Sequence, residues 1–143
     1  MESCCGGIIG MGESDGDIVD LCFALRELDV SSIPVNFLNP RPGTVLEGPN
    51  DLTPWRCLRV LAMFRAAHPT KDLRVAGGRE VNLRSLQPLS LLVVNSIFTN
   101  GYLTTPGQGE DTDRRMIRDM GYEIEVEDGP APAGAAPVQR LSH

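Results

Sequence analysis

Apolar and polar positions along the chain switch repeatedly between a strand period and a helix period. The Gly-rich apolar run Cys4-Cys5-Gly6-Gly7-Ile8-Ile9-Gly10-Met11-Gly12 reads as a first strand that begins close to Met1. Ser14 follows as an N-cap with Asp17 three residues on, and Ile18, Leu21, Cys22, Leu25 and Leu28 recur at helical spacing. Ile33-Pro34-Val35-Asn36-Phe37-Leu38 reads as a second strand, stopped by Asn39-Pro40 and Pro42-Gly43. A long loop leads to Thr53-Pro54, a cap followed by proline at the first helical position. The helix that follows carries Trp55, Leu58, Leu61, Ala62 and Arg65 and ends near His68-Pro69.

Leu73-Arg74-Val75-Ala76, bounded by Gly77-Gly78, reads as the third strand. A helix is expected from about Arg84 to Val94, with Pro88 near its first turn, and Asn95 to Thr99 as a fourth strand. Thr104-Thr105-Pro106-Gly107 leads to a last helix, about Asp111 to Met120, with Gly121 at its C-terminal stop. Tyr122 to Glu127 alternates and reads as extended. From Asp128 the chain turns to Pro, Ala and Gly, which predicts a disordered tail over 128–143 behind a folded unit over 1–127.

Four strand-then-helix units in succession predict an α/β fold with parallel pairing and helices outside. The pattern fits either an open doubly wound sheet or half of an eight-unit barrel. A chain of 143 residues is long enough for one domain with a real core.

Thirteen basic and nineteen acidic side chains give a net charge of −6, which argues against a nucleic-acid or anionic-membrane partner. No apolar run approaches the roughly 18 residues of a spanning helix, and the N-terminus has no basic-then-apolar signal, so a cytoplasmic location is expected. Cys4, Cys5, Cys22 and Cys57 form no C-x-x-C pair. In a reducing compartment they are thiols or metal ligands. Cys22 lies on an apolar stripe and reads as core; Cys57 reads as helix packing, and the isolated His68 as a helix-end residue.

Arg74 is the anomaly in the pattern. Side chains alternate faces along a strand, so Arg74 points away from Leu73 and Val75. A buried arginine requires a negative partner; an arginine at a sheet edge reaches water instead. Parity places Cys4, Gly6, Ile8 and Gly10 on one face of the first strand, Pro34, Asn36 and Leu38 on one face of the second, and Arg74 with Ala76 on one face of the third. A thiol, an amide and a guanidinium among glycines suggest either a cavity for something polar and negative or a satisfied hydrogen-bond network.

Gly7-Ile8-Ile9-Gly10-Met11-Gly12 is not a dinucleotide-binding fingerprint, and Pro106-Gly107-Gln108-Gly109 is only a loop. Neither a phosphate loop nor a serine-hydrolase or zinc-protease motif is present.

Several stretches together resemble the C-terminal half of the biotin synthase family of radical S-adenosylmethionine (SAM) enzymes. They are Cys-Cys-Gly-Gly-Ile-Ile-Gly-Met-Gly-Glu from Cys4, Ser32 to Leu38, Pro69 to Glu80, Asn95-Ser96-Ile97-Phe98 and Leu103-Thr104-Thr105-Pro106. The resemblance covers roughly Cys4 to Glu125 and implies the last four strand–helix units of a TIM-type (β/α)8 radical SAM barrel. By resemblance, Cys4 and Arg74 match ligands of a 2Fe–2S cluster, and a cluster bound by thiolates is the negative partner the arginine requires. Cys5 matches a position that is not a ligand. Asn36 matches the residue that holds dethiobiotin. Gly6-x-Ile8-x-Gly10-x-x-Glu13 resembles the motif that supports the SAM adenine, flanked by Ile8 and Leu38.

The implied reaction inserts sulfur into dethiobiotin. A 4Fe–4S cluster cleaves SAM to a radical that abstracts hydrogen, and the resulting carbon radical takes a sulfide from the 2Fe–2S cluster. No three of the four cysteines have the C-x-x-x-C-x-x-C spacing that binds the 4Fe–4S cluster, so that cluster has no ligands in this chain. The chain is therefore expected to be inactive alone. The alternatives are a gene fragment, one half of a two-chain enzyme that needs an N-terminal half as partner, or a degenerate relative acting as a binding or scaffold protein. Open barrel edges make self-association a further expectation.

Overall fold

A computed structural model describes residues 3–48, 51–99, 108–125 and 138–142. Strands β1 (Gly7–Ile9), β2 (Ser32–Phe37), β3 (Asp72–Val75) and β4 (Ser96–Phe98) pair in sequence order, all parallel. Helices α1 (Asp15–Glu27) and α2 (Pro54–Ala67) carry the first two crossovers. The third is made of short pieces, α3 (Arg79–Leu83), a single 3₁₀ turn over Arg84–Leu86, and α4 (Gln87–Ser90). Helix α5 (Glu110–Asp119) and strands β5 (Glu123–Glu125) and β6 (Val138–Ser142) complete the described fold.

Local signals set the helix ends. Ser14 and Asp17 form a reciprocal capping box at α1. Thr53 caps α2 with Pro54 at its first turn. Ile18, Cys22 and Leu25 of α1 and Cys57, Leu58, Leu61 and Phe64 of α2 pack on Ile33, Val35 and Phe37 of β2 and Leu73 and Val75 of β3 in one core. The odd-numbered face of β2 and β3 therefore meets the helices, as alternation requires.

Two expectations change. The single helix expected over 84–94 is broken. Helix formation starts earlier, immediately after Gly78, whose φ of +73° and close approach to the Phe37 carbonyl leave no room for a side chain. It then stops at Arg84, which takes a left-handed φ of +52°. Pro88 starts a second short helix rather than sitting inside a long one.

The second change concerns the tail expected to be disordered. Residues 138–142 form β6, which lies antiparallel between β4 and β5 and extends the sheet to the order β1-β2-β3-β4-β6-β5. A β-strand satisfies the open backbone groups of β4, and backbone pairing tolerates any side chain, so composition alone does not reveal it. Thr104 to Gly107 and residues 128–137 lie outside the described residues.

Candidate functional site

The register of the parallel strands aligns the face opposite the helices. Gly7, Ile8 and Ile9 stand beside Val35, Asn36 and Phe37, and an isolated bridge pairs Cys4 with Ser32 in the same register. Ser32 in turn stands beside Asp72, Pro34 beside Arg74, and Arg74 beside Ser96. The non-helix face thus carries Cys4, Ile8, Ser32, Asn36, Asp72, Arg74, Ser96 and Phe98 across four strands.

Arg74 does not reach water at an edge; it is 9% exposed. Its Nη2 donates to Asp72 Oδ2 at 2.7 Å and its Nε to Ser96 Oγ at 3.0 Å. The guanidinium also lies 5.3 Å from the centre of the Phe98 ring, within cation–π range. Asp72 accepts two more hydrogen bonds, from Ser32 Oγ at 3.0 Å and Ser96 Oγ at 2.9 Å. The negative partner that Arg74 requires is therefore a carboxylate of its own strand. Sequence reasoning missed Asp72 because it starts the third strand at Leu73, one residue late. The signal was present: residues i and i+2 of a strand share a face, so Asp72 and Arg74 had to be neighbours.

Asn36 stands two residues further along the same face. Its Oδ1 accepts from Gly77 N at 2.9 Å and its Nδ2 donates to the Gly7 carbonyl at 3.3 Å. The amide bridges β1 to the loop after β3. Cys4 is exposed at the β1 side of the sheet, as is its neighbour Cys5. Gly6 is held tight against β2, since a Cβ there would meet the Pro34 carbonyl oxygen at 1.9 Å.

A second feature lies past the C-terminal ends of β1 and β2. An open cleft of about 380 Å³ is lined by Gly10, Met11, Glu13, Leu38, Leu52 and Arg56, among others. Gly10 and Gly12 have φ values of +104° and +105°, a conformation that glycine adopts without strain. The Glu13 carboxylate holds this turn by accepting from Gly10 N at 2.6 Å and Met11 N at 2.7 Å. Ile8 is half exposed on the sheet face before the turn. Gly10, Glu13 and Leu38 thus meet at one cleft, with Ile8 on the strand leading into it and Gly6 just before that strand.

The remaining thiols are structural. Cys22 and Cys57 are fully buried, and burial pushes the Cys22 thiol up and the Cys57 thiol up to about 11. His68 caps α2, with its Nε2 2.9 Å from the Cys22 carbonyl oxygen. Among the described residues, no three His, Cys, Asp or Glu side chains gather into a metal-binding group. One cysteine and one arginine on the same face are an incomplete donor set for a 2Fe–2S cluster, which takes four ligands. No helix among the described residues is long and apolar enough to cross a membrane.

Residues 34–123 match the family model for the Biotin and Thiamin Synthesis associated domain. The chain is 62% identical over 131 residues to the biotin synthase of Salinibacter ruber, covering 91% of this chain and 36% of that protein. It is 57% identical over 127 residues to the biotin synthase of Staphylococcus aureus strain JH9, covering 89% of this chain and 38% of that protein. The chain thus spans a little over a third of the length of the relatives it matches, and corresponds to their C-terminal part. With its family model matched over more than half of its residues and across β2, β3 and β4, the chain belongs to the Biotin and Thiamin Synthesis associated domain family.

Proposed function

We propose that this chain is the C-terminal portion of a biotin synthase, contributing half of a TIM-type barrel to an enzyme that inserts sulfur into dethiobiotin by radical SAM chemistry. The observation that carries the reading is the identity of 57–62% to biotin synthases over about nine-tenths of the chain. The parallel order β1-β2-β3-β4 with helices between is consistent with four consecutive barrel units. On this reading Cys4 and Arg74 serve the 2Fe–2S cluster, and Asn36 serves dethiobiotin. Gly6, Ile8, Gly10, Glu13 and Leu38 serve SAM.

The sharing of one sheet face by Cys4, Asn36 and Arg74 supports the grouping. The cleft at Gly10, Glu13 and Leu38 supports a separate nucleoside end. When bound, the cofactors supply the radical and the sulfur. The chain's part is to hold groups in register and to keep water from them. The complementary segment of a biotin synthase is the partner, in the cytoplasm, and the free edge of β1 is a place for it to pair.

The test is anaerobic reconstitution with iron and sulfide. The chain alone is expected to stay colourless and iron-free. Adding the N-terminal segment of the Salinibacter ruber relative restores a cluster spectrum and biotin formation, and Cys4→Ser weakens the cluster more than Cys5→Ser. A folded pair of segments that binds no cluster sinks the reading and favours a binding or scaffold role.

A further inference from the structure

We propose that Asp72 is a positioning residue for Arg74, acting with Ser32 and Ser96 as a clamp that orients the guanidinium on the open face of the sheet. The inference rests on the reading that Arg74 serves the cluster, but its geometry stands by itself. Arg74 is a flexible side chain with several rotatable bonds, and placing one of its nitrogens against a ligand requires that its rotamer be held. Two of its three nitrogens are held: Nε by Ser96 Oγ at 3.0 Å and Nη2 by Asp72 Oδ2 at 2.7 Å. Nη1 takes no hydrogen bond among the described residues and is the accessible corner of an otherwise nine-tenths buried residue.

The clamp is itself braced. Asp72 uses Oδ2 for both Arg74 and Ser32, and Oδ1 for Ser96. Ser96 both accepts from Arg74 and donates to Asp72, so three residues close a ring across β3 and β4, with β2 attached through Ser32. The Phe98 ring 5.3 Å from the guanidinium limits its movement on another side. What the arrangement leaves for a ligand is Nη1, presented toward the side of the sheet away from the helices. Nη1 is not among the buried atoms left without a partner, so it is the part of the guanidinium that a ligand or water on the open face can reach, while the other two nitrogens are fixed by protein groups.

The experiment uses the 143-residue chain with ¹⁵N-labelled arginine, reading solvent exchange at the Arg74 Nη2–H groups that Asp72 holds, assigned with Arg74→Lys. Asp72→Asn is expected to speed that exchange by about tenfold or more, the size expected for losing a hydrogen bond to a charged group. Ser32→Ala, which leaves the Asp72–Arg74 contact but removes its brace, is expected to give a smaller increase in the same direction. Asp72→Glu is expected to recover part of the protection. The amide spectrum of each variant shows that it is folded. Unchanged Arg74 exchange in both folded Asp72→Asn and folded Ser32→Ala overturns the clamp.

In the assembly reconstituted with the N-terminal segment, Asp72→Asn is expected to shift the cluster's absorption bands in the same direction as Arg74→Lys, by less. If Arg74→Lys leaves the bands unmoved while the exchange effects hold, the cluster role of Arg74 falls and the clamp stands.

Discussion

Asp72 and Arg74 are joined on one face of β3 by an ion pair of 2.7 Å, with only 13% and 11% of their side chains exposed. Their neighbours in the strand, Leu73 and Val75, are wholly buried on the opposite face. One short strand thus serves two environments, an apolar core toward the helices and a charged, hydrogen-bonded network away from them. Removing one member of such a pair strands the other, which costs more than the pair itself contributes.

Asp72→Ala is therefore expected to destabilise the chain by about 3 kcal/mol, and Arg74→Leu by a smaller amount because it leaves Asp72 with two serine donors. The double variant is expected to lose clearly less than the sum of the two. Urea unfolding of the four proteins measures the cycle. Strict additivity would mean that the two side chains do not depend on each other.

The thiols divide by burial. Cys4 and Cys5 are exposed and are expected to react at once with a thiol reagent, whereas Cys22 and Cys57 react only on unfolding. Burial raises the Cys57 thiol from 9.0 to about 11, and the Cys22 thiol moves in the same direction. Above pH 9 the unfolded chain then binds fewer protons than the folded one, so stability falls as pH rises. The loss from Cys57 runs between pH 9 and about 11 and amounts to roughly 2–3 kcal/mol. Cys57→Ala is expected to flatten this slope in urea midpoints taken from pH 8 upward, while lowering stability at neutral pH through the cavity it leaves.

Much of the fold is written in short-range signals. The capping box at Ser14 and Asp17 and the Thr53-Pro54 start fix α1 and α2, and strict alternation fixes which face of β2 and β3 meets them. The same parity brings Cys4, Asn36 and Arg74 to one side. What the sequence hides is pairing between distant segments. The register that sets Ser96 beside Arg74, and the insertion of β6 beside β4, depend on backbone bonds that carry no residue signature. The breaks at Arg84 and Pro88 are hidden for a related reason. A positive φ at arginine is unfavourable locally, so residue preference gives no warning of it, and the buried Leu83 and Leu91 on either side of the break are what the core gains.

Helix α5 is anchored by Ile117 in the core and by one buried ion pair. Arg79 Nη2 reaches both oxygens of Asp113 at 3.0 Å, and each residue is 1% exposed. Arg79 Nη1 also donates to Gln87 Oε1 at 2.7 Å, which ties α5 to the broken crossover. Asp113→Ala takes away the buried carboxylate and leaves the guanidinium only the longer ion pair with the partly exposed Glu80 at 3.2 Å, and is expected to cost ~3 kcal/mol. Hydrogen exchange should show amides 110–119 opening before those of β2 and β3. Uniform loss of protection across the whole sheet would show that α5 is not a separable unit.

Strand β6 covers the edge of β4, pairing Val138, Gln139 and Arg140 with Phe98, Ile97 and Ser96. A further backbone bond runs from Leu141 N to the Asn95 carbonyl at 2.9 Å. Ending the chain after Glu125 removes this strand and leaves two edges without partners, that of β4 and that of β5. Unpaired edges next to an apolar strand such as Ile97 are templates for pairing with another chain. The shortened protein is therefore expected to self-associate where the full chain does so less, read by light scattering at matched concentrations. Its Ile97 amide is expected to lose exchange protection on dilution to monomer. A shortened chain that stays monomeric, with Ile97 still protected, would mean that β4 closes its edge without β6, and that residues 138–142 add length to the sheet but no cover.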